Sequence, residues 1–261
     1  MPNFDSAGVD IAYFDTGEAH GEDPFKTPIL LIHGFASNIA TNWISTGWVE
    51  TLKRAGYRVI AIDNRGHGMS AKLYEQADYS APVMAEDARH LLDHLSIPQA
   101  HVMGFSMGAR ISAFLTLAHP ARVKSVVFGG LGLNMIRGLA GTGPIARALE
   151  AGTIDDVTNP AARTFRAFAE QTRSDLKALA ACIRAARSPI SEDMVALIAA
   201  PVLVVVGSDD VVGGPAEDLA ALIPGARAVT LAGRDHMKSV GDKTYKEEVL
   251  RFLAQVEADT A

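Results

Sequence analysis

Ser106 stands in Gly104-Phe105-Ser106-Met107-Gly108, a G-x-S-x-G pattern. The apolar run His101 to Phe105 precedes it and a helix-forming run, Ser106 to Ala118, follows. In that context the serine is a candidate nucleophile, because a sharp strand-to-helix turn lifts its hydroxyl above a sheet. The flanking glycines fit this geometry: residues two before and two after the serine come close to each other and to neighbouring strands. The helix start aims N–H groups and the positive end of its dipole at the same point. The Met107 N–H is placed to hold an oxyanion. A serine hydroxyl is a weak nucleophile near neutral pH and needs a base beside it.

After such an elbow the chain order is serine, acid, histidine. Two histidines follow Ser106, namely His119 and His236. His119 ends the helix in Ala118-His119-Pro120 and points away from the sheet top. His236 follows the strand expected over Ala226 to Leu231, in a loop on the catalytic edge, and is the expected base. The acid is expected after the run Val202 to Val206, where Gly207-Ser208-Asp209-Asp210 offers two aspartates. Asp210 is the preferred one, with Asp209 as a turn residue capping local N–H groups. The acid orients the imidazole and stabilises its charged form. A second oxyanion donor is the Phe35 N–H in His33-Gly34-Phe35, after the run Ile29 to Ile32. Gly34 lets the backbone bend toward a ligand. His33 is expected to bond nearby backbone and orient that loop.

The elements that must position these residues follow from the apolar pattern. Ile29–Ile32, Arg58–Ile62, His101–Phe105, Val123–Phe128 and Val202–Val206 are short, continuous runs that fit strands buried on both faces. Val9–Phe14 reads as an early strand, paired with residues around Phe4, and Asp15–Pro28 as a loop. Helical patterns lie over Trp48–Ala55, Pro82–Leu95 and Ser106–Ala118, and a terminal helix over Tyr245–Val256. Strands alternating with helices predict an α/β fold with a parallel sheet covered on both faces, and ligands at the carboxyl ends of its strands. Leu131–Pro189 has no strand pattern but carries Phe165, Phe168, Leu176, Leu179 and Ile183 at helical spacing. It is expected to be a helical cap, residues 131–190, on a core of residues 1–130 and 191–261.

Composition narrows the function classes. The chain has 261 residues, 48% hydrophobic and 21% charged, with formal net charge −6. That is globular, and offers no electrostatic case for nucleic acid or an anionic membrane. The single cysteine, Cys182, cannot form an internal disulfide, and no secretory signal or 20-residue apolar run is seen. A cytoplasmic protein is expected, and a homo-oligomer is left open. His90 and His94 share a helix face near Asp87 and Asp93, but Leu91 stands where a zincin places its Glu, so a solvated face is expected rather than a metal site. His67 is expected to shape its turn and Cys182 to be packed. The cap carries eight basic residues against five acidic ones: Arg137, Arg147, Arg163, Arg166, Arg173, Lys177, Arg184 and Arg187 against Glu150, Asp155, Asp156, Glu170 and Asp175. Local ion pairs are the expectation there. A cap arginine that greets an acidic substrate is the alternative.

With these marks in hand, the chain resembles the α/β-hydrolase fold family over nearly its whole length. The resemblance rests on His33-Gly34-Phe35, Asp63-Asn64-Arg65-Gly66-His67-Gly68-Met69-Ser70, Gly104-Phe105-Ser106-Met107-Gly108, Gly207-x-x-Asp210 and His236. It implies an eight-stranded, mostly parallel sheet and an esterase-like triad of Ser106, Asp210 and His236. The oxyanion would lie on the N–H groups of Phe35 and Met107. The expected reaction is acyl transfer from a small or medium carboxylic ester to water, with no metal or organic cofactor. The family also includes lactonases, C–C bond hydrolases, cofactor-free haloperoxidases and silent receptors that use the pocket for binding. Its haloalkane dehalogenases and epoxide hydrolases carry aspartate where Ser106 stands, and haloperoxidase-like members often carry Trp where Phe35 stands.

Overall fold

The computed structural model describes residues 1–17, 26–138, 142–185 and 189–260. Part of the loop expected over Asp15–Pro28, and Arg187 of the expected cap, lie outside these residues. One sheet contains β1 (Asn3–Ser6), β2 (Val9–Asp15), β3 (Ile29–Ile32), β4 (Val59–Ile62), β5 (Ala100–Phe105), β6 (Val123–Gly129), β7 (Val202–Gly207) and β8 (Arg227–Leu231). Their spatial order is β1-β2-β4-β3-β5-β6-β7-β8. β1 pairs antiparallel with β2, and β2 with β4; every other pairing is parallel. The central strands are buried along their whole length, which is why β3, β4 and β7 read as unbroken apolar runs.

The helices are α1 (Trp48–Arg54), α2 (Ala81–His94), α3 (Met107–Ala118), α4 (Asn134–Arg137), α5 (Thr142–Glu150) and α6 (Pro160–Gln171). They continue as α7 (Leu176–Arg184), α8 (Glu192–Ala196), α9 (Ala216–Ala220), α10 (His236–Ser239) and α11 (Lys243–Thr260). Local chemistry sets several starts. Ser80, Asn159 and Asp175 accept the Val83, Ala162 and Ala178 N–H groups at the heads of α2, α6 and α7. Pro lies in the first turn of α2 and of α6, where its missing N–H costs nothing.

Alternate residues of each central strand feed opposite layers. Leu30, Ile32, Ile60, Val102 and Val204 pack with Leu91, Leu92 and Ile111 of α2 and α3. Leu31, Val59, Met103, Leu203 and Val205 pack with Trp48, Tyr245 and Phe252 of α1 and α11. A third cluster, Ile145, Leu149, Ala162, Ala169, Leu179 and Ile183, joins α5, α6 and α7 to Ala36 of the loop after β3. The helices between β6 and β7 therefore rest on the loop expected to supply an oxyanion donor.

The His90 and His94 face of α2 runs beside the β1–β2 hairpin; His94 and Asp93 are exposed, as expected, and His90 is half-buried. His94 stacks on Phe4 with ring centroids 5.5 Å apart. Asp87 is buried and takes a two-pronged bond from Arg65, at 2.7 and 2.8 Å, and the Ser6 hydroxyl at 2.5 Å. His90 Nδ1 meets that same hydroxyl at 2.9 Å. The hairpin covers the Asp87 part of this face, and the polar groups there are satisfied in return.

Candidate active site

β5 ends at Phe105, and Ser106 turns the chain into α3. Ser106 has φ 55° and ψ −112°, which a side-chain-bearing residue adopts only under strain. Two glycines make the turn possible. A Cβ on Gly104 would lie 2.2 Å from the Gly108 carbonyl oxygen, and one on Gly108 would lie 1.9 Å from the Ile32 carbonyl oxygen. The helix begins at Met107, one residue later than the pattern predicts, with Ser106 as its N-cap.

The turn brings together residues 130 positions apart. Ser106 Oγ lies 3.0 Å from His236 Nε2. His236 Nδ1 lies 2.7 Å from Asp210 Oδ2. A hydroxyl that donates to Nε2 and an Nδ1–H that donates to the carboxylate satisfy both bonds with one neutral tautomer. Asp210 is fixed in turn: its Oδ1 accepts the N–H groups of Val212 at 2.9 Å and Gly213 at 2.8 Å. Its side chain is fully buried, whereas that of His236 is 16% exposed. The Phe105 ring lies 5.1 Å from the imidazole and backs it. His236 opens α10 rather than lying in a loop.

Asp209 stays outside this chain of bonds. It is exposed and accepts the Ser208 hydroxyl at 2.7 Å, not the backbone N–H groups expected of it. The difference arises because the chain folds back after Asp210, bringing the 212 and 213 amides to that carboxylate instead. His119 lies at the far end of α3, as the sequence leads one to expect, and there meets Glu86 at 2.5 Å.

The loop after β3 lies against the elbow. A Cβ on Gly34 would sit 3.4 Å from Ser106 Cβ. Phe35 and Met107 line the same pocket as Ser106, and among the described residues neither of their N–H groups donates to a backbone acceptor. His33 holds the loop: its Nδ1 bonds the Gly34 carbonyl at 2.7 Å, and the Asn64 N–H donates to its Nε2 at 3.0 Å. Asn42 accepts the Gly34 N–H at 3.2 Å. Burial pushes the His33 pKa down to about 4 and that of His67, behind it, down to about 3. Both are neutral at pH 7. His67 Nδ1 bonds the Arg65 carbonyl at 2.9 Å within the turn it shapes.

The pocket over Ser106 opens to solvent. Leu131, Phe165 and Ile183 face it from the 131–190 stretch. Phe165 meets Phe35 at 6.1 Å between centroids, and the Thr172 hydroxyl donates to the Ala36 carbonyl at 2.9 Å. Cys182 is buried, 4.0 Å from the Met107 sulfur. Three arginines of the 131–190 stretch pair locally: Arg163 with Asp155, Arg166 with Glu170 and Arg184 with Glu150. Tyr79, Met84, Arg110 and Asn134 also line the pocket, and the sequence does not single them out. For Arg110 a signal existed: it stands four residues after Ser106 on one helix.

A profile of the alpha/beta hydrolase fold matches residues 27–136. The dihydrolipoyllysine-residue acetyltransferase component of the acetoin cleaving system of Pseudomonas putida is 36% identical over 125 residues, 47% of this chain and 31% of that one. The chain spans less than half the length of the curated relatives it matches. A hydrolase from Pseudomonas aeruginosa has a similar structure, with TM-score 0.73, 26% identity and 97% of each chain covered. An N-acyl homoserine lactone degrading enzyme gives TM-score 0.72 and 26% identity over 96% of this chain and 99% of its own.

Proposed function

We propose that this chain, which belongs to the alpha/beta-hydrolase superfamily, is a serine hydrolase that cleaves a small or medium carboxylic ester through an acyl-enzyme on Ser106. The observation that carries the reading is the continuous bond chain Asp210–His236–Ser106, ending at the floor of an open pocket. In this reading residues 131–190 form a cap, and residues 1–130 and 191–261 the core that bears the triad.

His236 Nε2 takes the Ser106 proton as Oγ attacks the carbonyl carbon. The negative oxygen of the tetrahedral intermediate lies on the N–H groups of Phe35 and Met107, with the α3 N-terminus behind it. Losing one such donor costs about 10²–10³ in rate. The leaving alcohol takes the proton from His236. Water then gives a proton to His236 and attacks the acyl-enzyme, the carboxylic acid departs, and the proton returns to Ser106 Oγ. Asp210 holds the imidazole and offsets its charge without taking the proton. The apolar cap side chains favour a substrate with at least one apolar arm.

The test is a fluorophosphonate probe run beside a panel of p-nitrophenyl esters graded by acyl length. Labelling at Ser106 and release of p-nitrophenol are expected, and both vanish in Ser106→Ala. Folded protein that neither labels nor turns over any ester would leave a ligand-binding protein. A lactone is the second reading, favoured by the likeness to the lactone-degrading enzyme. An N-acyl homoserine lactone turned over at least tenfold faster than open-chain esters would establish it.

A further inference from the structure

Asp210 is fixed by the turn that follows it, and Asn134 holds that turn from its other side. Asp210 Oδ1 accepts the Val212 N–H at 2.9 Å and the Gly213 N–H at 2.8 Å. The same two peptide groups present their carbonyls, those of Val211 and Val212, to Asn134 Nδ2, at 3.4 and 3.0 Å. Two carbonyl oxygens require the NH2 end of that amide, which has one N–H for each. A trans peptide is planar, with its N–H and C=O opposed, so fixing the oxygen fixes where the N–H points. A carbonyl that accepts a bond also makes its own peptide N–H a stronger donor. The backbone around Asn134 is stitched to the turn as well. The Gly132 and Asn134 N–H groups donate to the Gly213 carbonyl, at 2.9 and 3.2 Å. The approach is so close that a Cβ on Gly132 would lie 2.2 Å from the Pro215 carbonyl oxygen. From α3, Arg110 Nη2 donates to the carbonyls of Asn134, at 3.4 Å, and Met135.

We propose that Asn134 is a positioning residue for the triad acid: its side-chain amide orients the two peptide groups that hold the Asp210 carboxylate toward His236. The inference rests on the serine hydrolase reading of the site and adds a residue to its machinery. Asn134 acts through Asp210, whose Oδ2 lies 2.7 Å from His236 Nδ1. Direction matters here more than bond energy. Val211 is exposed and Val212 lines the open pocket, so water reaches both carbonyls once the amide is gone. Water replaces the hydrogen bonds but not their orientation. The two peptides are then free to turn, and the carboxylate loses the aligned N–H pair that aims it at the imidazole. The expected loss is therefore in catalysis rather than in folding.

Asn134→Leu keeps the branched shape of the side chain and removes its donors. Asn134→Ala, which adds no bulk, repeats each measurement should the leucine variant not fold. The first readout needs no substrate: the downfield proton resonance of His236 Nδ1–H, identified by its loss in His236→Gln. In the folded variant it moves upfield or is lost to exchange, because a longer bond to Asp210 deshields the proton less. The second readout is kcat for p-nitrophenyl acetate. It falls roughly ten- to hundredfold, the range seen when the partner behind a metal ligand is removed. The third separates positioning from a change in the pocket wall. In an Asp210→Ala background, Asn134→Leu slows fluorophosphonate labelling by no more than about twofold further, because the residue it acts through is gone. An unmoved resonance in folded variant protein overturns the proposal. So does a loss in the Asp210→Ala background as large as in the wild-type one. The hydrolase reading fails separately. Wild-type protein that never labels loses that reading, while the resonance still decides whether Asn134 positions Asp210.

Discussion

β5 has a serine, a histidine and a carboxylate bonded in series at each of its ends. At the carboxyl end Ser106, His236 and Asp210 are joined at 3.0 and 2.7 Å. At the amino end His101 Nδ1 meets Ser125 Oγ at 2.7 Å, and His101 Nε2 meets Glu257 Oε1 at 2.9 Å. The three residue types and the bond lengths are nearly the same. The backbone and the access differ. Ser106 sits at positive φ, at the head of a twelve-residue helix and on a pocket. Ser125 lies inside β6, opposite His101 in the strand register, and is fully buried. Glu257 also accepts Lys124 Nζ at 2.6 Å and the Thr27 N–H at 3.0 Å, which ties α11 to the bottom of the sheet. On the proposed reading, three side chains in series become a reactive site only where a strained turn exposes the hydroxyl and N–H groups are placed for an oxyanion. Without them the same series is a clasp.

The largest expected effect separates the two carboxylates. Asp210→Asn should lower kcat by roughly 10⁴, because the amide cannot hold the imidazole in the tautomer that accepts the serine proton. Glu257→Gln should leave kcat/KM within about threefold, since no reacting atom lies near it. Asp209→Asn should behave like the second variant, as the Asp209 carboxylate accepts the Ser208 hydroxyl and lies outside the Asp210–His236–Ser106 series. Ester hydrolysis normalised to folded protein by circular dichroism reads all three. A collapse of kcat in Glu257→Gln would mean that the two ends are coupled and that the contrast is false.

The next effect is on stability. Gly108→Ala places a methyl 1.9 Å from the Ile32 carbonyl oxygen, which is backbone and cannot swing aside. The elbow must then separate from β3, at a cost of about 3 kcal/mol. Ser125→Ala at the other end leaves a buried imidazole nitrogen without its partner and costs about 1 kcal/mol. Urea midpoints rank the two. Equal midpoints would show that the elbow is not held as tightly as its geometry requires.

Much of this was legible in the sequence where a local rule governs. Unbroken runs such as Ile29–Ile32 and Val202–Val206 read as strands because parallel strands are covered on both faces. The glycines around Ser106 read as an elbow because close approach of backbones excludes side chains. Asp210 against Asp209 was a preference only, since adjacent aspartates differ by how the loop folds back on its own amides, and residue type carries no trace of that. The clasp was hidden altogether. His101 and Glu257 are 156 residues apart, and nothing at either position signals the other. The stacking of His94 on Phe4 was hidden in the same way, because a helix face does not state what hairpin will lie beside it. Arg110 lay between these cases, visible by its spacing from Ser106 but with no sign that carbonyls across a pocket would hold it.

The smallest effect is the one that titrates the clasp alone. Hydrogen bonds from Lys124, His101 and the Thr27 N–H outweigh the opposing effect of burial and hold the Glu257 carboxyl at about 2, against an ordinary value of 4.5. A carboxyl whose pKa is lower in the folded chain stabilises the fold above its unfolded value and loses that contribution as pH falls toward the folded one. The window is therefore about pH 4.5 down to about 2. The stake is about 2 kcal/mol once partial exposure is discounted. Many other carboxyls titrate in that range, so the quantity to measure is the difference in stability between wild type and Glu257→Gln across it. That difference should shrink as pH falls below 4.5, because the glutamine variant has no proton to take up at this position. His101 works in the same direction: burial lowers its pKa, so protonating it in acid also opposes the fold. A difference that stays flat to pH 2.5 would show that Glu257 is not held by its cations, and that the amino end of β5 is packed rather than clasped.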